Sequence, residues 1–260
     1  MVCRKGPVRN NNEDNFFLDG SWMQPEDAEQ GMDLTKTGTQ ACQIYAVCDG
    51  MGGTDSGEAA SLCAVRALAG HQTLRSGCVG EEDLVRALRG ISGEVLGEAR
   101  RSGKSAGTTI ALVLVQRNRI LAANVGDSRI YRYRKGQLRQ VSEDHSRVAH
   151  MVRMGLISPQ QARKDPGRHI ISQYLGMPEQ VQVCPCIKAA EKMKRHDMYL
   201  LCSDGLTDLV PDDEIKMILE KGGNPEEIAG VLSEAALQKG GRDNVTVMIL
   251  QVCLRKNAGR

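Results

Sequence analysis

"TTIALVLVQRNRILAANVGDSRIYRYRKGQLRQVS", residues 108–142, is the stretch whose reading decides the fold. It divides into the short strands "TTIALVLVQ" (108–116), "RILAANVG" (119–126), "SRIYRYR" (128–134) and "QLRQVS" (137–142). Arg117-Asn118 and Lys135-Gly136 are turn signals between them. Outward on the N-terminal side, residues 14–19 and 43–48 read as strands, and the polar stretch 20–40 as a hairpin-like connection. Residues 57–75 and 81–101 carry Ala and Leu at helical spacing. On the C-terminal side, 144–165 return to helical spacing, with Ser158-Pro159 as a helix start. Residues 166–180 read as irregular, "VQVCPCIKA" (181–189) and "MYLLCS" (198–203) as strands, and 212–220 and 225–239 as helices. "NVTVMILQVCL" (244–254) is the final strand. Strands flank the helical blocks without βαβ alternation. That favours an α+β layered sandwich of antiparallel sheets over a doubly wound parallel sheet. No repeat, heptad run or low-complexity linker interrupts the chain.

Composition narrows the function classes. At 260 residues there is room for one large domain or two small ones. A formal net charge of +2 gives no bulk attraction to nucleic acid or to an anionic membrane surface. An aromatic share of 3% argues against base-stacking platforms. The N-terminus "MVCRKGPVRNNNED" has no apolar core of a secretory signal, and "IALVLV" is far too short to span a bilayer. The nine cysteines are therefore expected as reduced thiols in a cytoplasmic protein. Cys184-Pro185-Cys186 has the wrong spacing for a zinc knuckle or a thioredoxin motif.

The acids stand at the ends of apolar runs. "IYAVCDGMGG" ends in Asp49-Gly50, and "MYLLCSDGLTD" ends in Asp204-Gly205 with Asp208 one helical turn on. Asp14 in "NEDNFFL" and Asp243 in "GRDNVTVMIL" precede apolar runs. Singly, each Asp-Gly is a turn, as Asp19-Gly20 is read. Together, carboxylates from several strand ends suit hard cations, which want oxygen ligands. Two such ions can lower the pKa of a water and clamp a phosphoryl group for in-line attack. Gly50 lets backbone approach an ion, whereas Gly205 reads as a turn residue. Arg9, five residues before Asp14, offers a guanidinium fork for phosphate oxygens. Cys3 and Arg9 also have the C-x5-R spacing of cysteine-dependent phosphatases. Pro7 and the polar "NNNED" do not suit a phosphate-cradling loop that leads into a helix. No GxxxxGK[ST] motif supports a P-loop nucleotidase.

Taken in order, "GPVRNNNEDNF", "VCDGMGGTDSGEAAS", "SAGTTIALVLV", "NVGDSRIYRYRKGQLRQVSEDHS", "YLLCSDGLTDLV" and "GRDNVTVMIL" resemble the metal-dependent protein phosphatases of type 2C, the PPM family. The bacterial stand-alone members are the most similar, and the match runs from about residue 4 to residue 252. The resemblance implies a four-layer α-β-β-α sandwich of two antiparallel sheets flanked by helices. Residues 1–255 would form a single phosphatase domain, with a flap at about 145–178 and a polar tail at 256–260.

The implied activity is hydrolysis of phosphoserine and phosphothreonine. A hydroxide bridging two Mn²⁺ or Mg²⁺ ions would attack in line, with no phospho-enzyme. Asp49 would bridge the ions, Gly50 would give its carbonyl, Asp204 and Asp243 would hold the first ion, and Asp14 would serve one ion or its waters. Glu13 and Asn244 would support the loop, and Arg9 would bind substrate phosphate. Asp127 and Asp208 would hold a third, weaker ion. Relatives place histidine where Met51 and Thr54 stand, and Thr-Arg where Ser172-Gln173 stand, so a metal-bound water is the expected proton donor. His145, His169 and His196 read as structural or exposed. The implied partners are phosphoproteins, those of a cognate Ser/Thr kinase, and the chain is expected as a monomer that binds no nucleic acid and does not enter a membrane. A rival reading is a catalytically silent phosphoprotein-binding module on the same fold, against which the complete acid set speaks.

Overall fold

In the computed structural model, which describes residues 1–52 and 56–253, the block 108–142 is shared between two sheets. In chain order the first elements are β1 (Val2–Arg4), β2 (Asp14–Leu18), β3 (Met32–Asp33) and β4 (Cys42–Met51). Two helices follow, α1 (Ser56–Gly70) and α2 (Glu81–Ser102). Next come β5 (Gly107–Thr108), β6 (Ile110–Gln116), β7 (Arg119–Val125), β8 (Arg129–Arg134) and β9 (Gln137–Gln140). Helices α3 (Arg147–Arg153) and α4 (Pro159–Lys164) precede β10 (Cys186–Lys192) and β11 (Met198–Cys202). The chain continues through α5 (Asp204–Thr207), α6 (Asp212–Lys221), α7 (Pro225–Gln238) and β12 (Val245–Gln251).

One sheet has the order β3-β1-β12-β11-β8-β9, the other β10-β7-β6-β4-β2, with β5 paired to β4. Every neighbouring pair is antiparallel. The chain passes from one sheet to the other at Gly126-Asp127-Ser128, between β7 and β8.

Three apolar layers hold four layers of structure. Phe16, Val47, Val113, Ile130, Leu201 and Met248 fill the space between the sheets. Phe17, Ala46, Leu112 and Leu121 point the other way, against Leu68, Leu84, Leu88 and Val95 of α1 and α2. Leu200 and Val247 pack on Ile215, Leu219, Leu232 and Ala236 of α6 and α7. Both faces of the central strands are thus buried. This is why "IALVLV" is a continuous apolar run rather than an alternating one. The α+β sandwich of antiparallel sheets is the architecture observed.

Several local expectations need correction. β1 has no counterpart in the sequence reading, because "VCR" is too short to carry a pattern; it is a strand because β12 and β3 lie on either side of it. The 20–40 connection does join antiparallel neighbours, but it also sends β3 to the other sheet. Strand 43–48 runs on through Asp49 and Gly50 to Met51, held there by β5. "VQVCPCIKA" becomes a strand only at Cys186, after Pro185, whose ring leaves no ladder donor. Asp204-Gly205 is not a turn but the start of the one-turn helix α5. All nine cysteines are free. Among the described residues no helix is long and apolar enough to cross a membrane. Thr54 and the 256–260 tail lie outside the described residues.

Candidate metal centre

β2 and β4 pair in a register that sets Asp14 directly opposite Asp49. Like charges in that relation destabilise a sheet pair, so something must compensate. Asp14 is 1% exposed. Its Oδ2 accepts hydrogen bonds from Ser203 Oγ and Thr246 Oγ1, each at 2.7 Å. Its Oδ1 is buried without a partner among the described residues. Burial pushes the Asp14 carboxyl up to about 7; the two hydroxyls oppose the rise, while Asp243 and Asp204 add to it. The Asp49 carboxyl is raised well above the usual range, by burial first and then by Asp14, Asp204, Asp127 and Asp243. Asp243 is also raised, by burial and then Asp204, with Arg9 pulling the other way. These acids therefore converge on one place, and their charges repel.

The backbone under them is clamped. Asp49 N donates to Thr109 Oγ1 at 3.0 Å, and Asp49 O accepts from Thr109 N at 2.8 Å and Thr108 Oγ1 at 2.9 Å. Gly50 N donates to Glu13 O at 3.1 Å. A Cβ on Gly50 would stand 2.1 Å from the Gly57 carbonyl oxygen, so only glycine fits this close approach. Asn244 accepts from Glu13 N at 2.8 Å and donates to Lys5 O and Asn11 O at 2.8 and 2.9 Å. One amide thereby fixes the loop that carries Arg9 and Glu13 onto the residue after Asp243. Arg9 lies against Asp243, with Nη2 to Oδ2 at 2.6 Å.

Asp204 and Asp208 begin and cap α5, with Asp208 N donating to Asp204 O at 2.8 Å. Gly205 is buried inside this turn of helix, and a Cβ there would meet the Asn244 carbonyl oxygen at 2.0 Å. Its role is close packing, not turning. Asp127 occupies the crossover between the sheets, 9% exposed, and its Oδ1 has no partner among the described residues. Its carboxyl is raised well above normal by burial, then by Asp204 and Asp144. The nearby Arg129 is committed to Asp144, Nη2 to Oδ2 at 2.6 Å.

The segment 145–178 is anchored to this end of the sandwich. Ser146 bridges Ile171, Thr108 bridges Leu175, and Ser172 N donates to His145 O at 2.7 Å. A cavity of about 650 Å³ opens between the segment and the sheets, with Asp127, Arg168, His169, Asp204 and Asp208 among its lining residues. His145 accepts a hydrogen bond from Gly126 N at 3.3 Å. His196 sits in a tight turn at φ +66°. His169 faces Asp204 and Asp208, a contact that the sequence did not suggest.

Sequence reasoning also missed Ser203, Thr246, Thr108 and Thr109. All four sit inside the quoted motifs, but hydroxyl residues in or next to strands carry no signal of their own. The Cys3-x5-Arg9 reading fails: Cys3 is fully buried in β1, and burial with Asp14 nearby pushes its thiol up to about 12, the reverse of a nucleophilic thiolate.

The donor set suits hard divalent cations. It is rich in oxygen, it includes buried carboxylate oxygens without partners among the described residues, and it surrounds a glycine where a Cβ would collide with backbone. The family model "Protein phosphatase 2C" matches residues 27–236. A serine/threonine phosphatase Stp of Listeria welshimeri is 32% identical over 253 residues, covering 95% of this chain and 92% of that protein. The crystal structure of the Mycobacterium tuberculosis serine/threonine phosphatase PstP/Ppp superposes with a TM-score of 0.76 at 32% identity, covering 96% of this chain and 98% of that one. A PstP catalytic domain crystallised with two manganese ions gives a TM-score of 0.74 at 31% identity, covering 95% of this chain and 94% of that one.

Proposed function

The chain belongs to the protein phosphatase 2C family, and from that membership we propose how its residues divide the work of a serine/threonine protein phosphatase. Asp14, Asp49, Gly50, Asp204 and Asp243 would hold two Mn²⁺ or Mg²⁺ ions, with Asp49 shared between them. Asp127 and Asp208 would serve a third. When bound, such ions acidify water and neutralise phosphoryl oxygens, the chemistry that phosphomonoester hydrolysis needs. The two manganese ions of the PstP catalytic domain support this reading.

The chain's own residues do the rest. Ser203 and Thr246 fix the Asp14 carboxylate, and Thr108 and Thr109 fix the backbone of Asp49. Arg9 binds the substrate phosphate with its guanidinium fork, and Asn244 holds the loop that aims it. Met51 offers no proton, so a site water carries it to the leaving alkoxide. The 145–178 segment borders the substrate path as a flap. Residues 1–255 act as one domain, a cytoplasmic monomer whose substrates are the phosphoproteins of a cognate Ser/Thr kinase.

The observation that carries this reading is the Asp14–Asp49 cross-strand pair, with Asp14 Oδ1 buried and without a partner among the described residues. A divalent cation between two facing carboxylates would offset their repulsion. Hydrolysis of a phosphothreonine peptide tests it directly. The expected result is turnover with Mn²⁺ that EDTA abolishes and Mn²⁺ restores. Turnover unaffected by EDTA would refute it.

A further inference from the structure

His169 lies between α4 and the tie of Arg147 N to Ile170 O, on the segment that faces the sheet edge. It is half exposed, and its Nδ1 stands 3.4 Å from Asp208 Oδ2 and 3.9 Å from Asp204 Oδ2. One ligand atom from each of His169, Asp204 and Asp208 lies within 4.8 Å of the others. The nearer of these separations is long for a hydrogen bond and the other is beyond it. An ion pair between a protonated imidazole and the two acids would leave Asp127 unexplained. Asp127 lines the same cavity, is 9% exposed, and keeps Oδ1 buried with no partner among the described residues. Arg129 does not answer it, being held by Asp144, and Arg168 stands 3.9 Å from Asp208.

We propose that His169 is a nitrogen ligand for a divalent transition-metal ion that it shares with Asp204 and Asp208, at the outer edge of the centre. The proposal rests on the reading of Asp204 and Asp208 as cation ligands, and adds a donor of a different chemical kind. The inner set of Asp14, Asp49, Gly50, Asp204 and Asp243 offers oxygen only, which serves Mg²⁺ and Mn²⁺ alike. An imidazole shifts the outer position away from Mg²⁺ toward Mn²⁺, Co²⁺ or Zn²⁺. His169 belongs to the 145–178 segment and Asp204 follows β11 of the sheet. An ion between them therefore joins the segment to the sheet.

The all-oxygen inner set makes the test clean. Full-length protein is titrated with Mn²⁺, and the bound ions are counted and probed for ¹⁴N coupling by pulsed electron paramagnetic resonance, in wild type and in His169→Ala. Circular dichroism checks that the half-exposed position tolerates the change. The expected result is ¹⁴N modulation on one bound ion of the wild type. In His169→Ala it is lost, the bound Mn²⁺ falls by one per chain, and the remaining ions are unchanged. Bound Mn²⁺ with oxygen donors alone in the wild type overturns the histidine ligand and leaves the inner centre standing. Modulation that survives in His169→Ala also overturns it. A wild type that binds no Mn²⁺ overturns both this proposal and the metal-dependent reading beneath it.

Discussion

Asp49-Gly50 and Asp204-Gly205 look alike in sequence and are built differently. The first lies inside a strand, clamped by threonines from the neighbouring strand region and faced by a second acid across the ladder. The second opens a one-turn helix and looks two ways, inward to Asp14 and Asp243 and outward to Asp208 and His169. Both glycines are there because a carbonyl oxygen lies too close for a Cβ, at 2.1 Å in one case and 2.0 Å in the other. The shared dipeptide thus records a shared packing need. The difference in function comes from what each backbone is bonded to.

The strongest way to break this comparison is Asp49→Asn. It should cut kcat by about 100- to 1,000-fold, the scale on which loss of an electrostatic element in an active site acts. The circular dichroism spectrum should not change, and wild-type turnover in the variant would end the assignment. Next come Gly50→Ala and Gly205→Ala, each expected to lose about 1–3 kcal/mol of stability in urea unfolding, as overpacked sites do. A neutral Gly205→Ala would return Gly205 to a mere turn. Asp127→Ala should lower turnover by about 10-fold, ~1.4 kcal/mol of barrier, while the inner ions still bind by calorimetry. An unchanged rate at every Mn²⁺ concentration would remove the outer ion.

The smallest effect concerns pH. The Asp14 carboxyl titrates near 7 in the folded chain, against an ordinary carboxylate value of 3.8 when unfolded, so its contribution to stability is full at low pH and is lost as pH rises through about 7. The raised Asp49 and Asp127 carboxyls act in the same direction. The melting temperature of EDTA-treated protein should therefore fall as pH rises over this window, and excess Mn²⁺ should abolish the fall. A metal-free protein that gains stability over the same window would contradict the crowded-acid picture.

The sandwich was legible because its central strands are apolar on both faces and its turns carry Arg117-Asn118 and Lys135-Gly136, each with a residue at positive φ. The passage of the chain between sheets at Gly126-Asp127-Ser128 was not. The strands on either side of it look the same locally, and only their distant partners differ. Strand β1 was invisible because "VCR" is too short to carry a pattern, and only its neighbours β3 and β12 make it a strand. Among site residues, the acids announce themselves by standing at the ends of apolar runs. Ser203 and Thr246 do not, since a hydroxyl in or at the end of a strand is ordinary until a buried carboxylate from β2 is found beside it. His169 has no local pattern at all; only the folded segment brings it to Asp208.

Asn244 and β12 have a consequence for the order of events during synthesis. The amide of Asn244 grips residues 233 and 239 positions earlier in the chain, and β1 takes its place only beside β12. At ribosomal speeds of roughly 5–20 residues per second, the N-terminal loop waits about 12–50 s for its partner to emerge. Until then the loop that carries Arg9 has neither the Asn244 amide to hold it nor Asp243 to pair with. A chain that stops before β12 lacks both Asp243 and the Asn244 amide, and β1 has only β3 beside it. Joining β1 to β12 thus makes the N-terminal edge of that sheet one of the later parts of this fold to be completed.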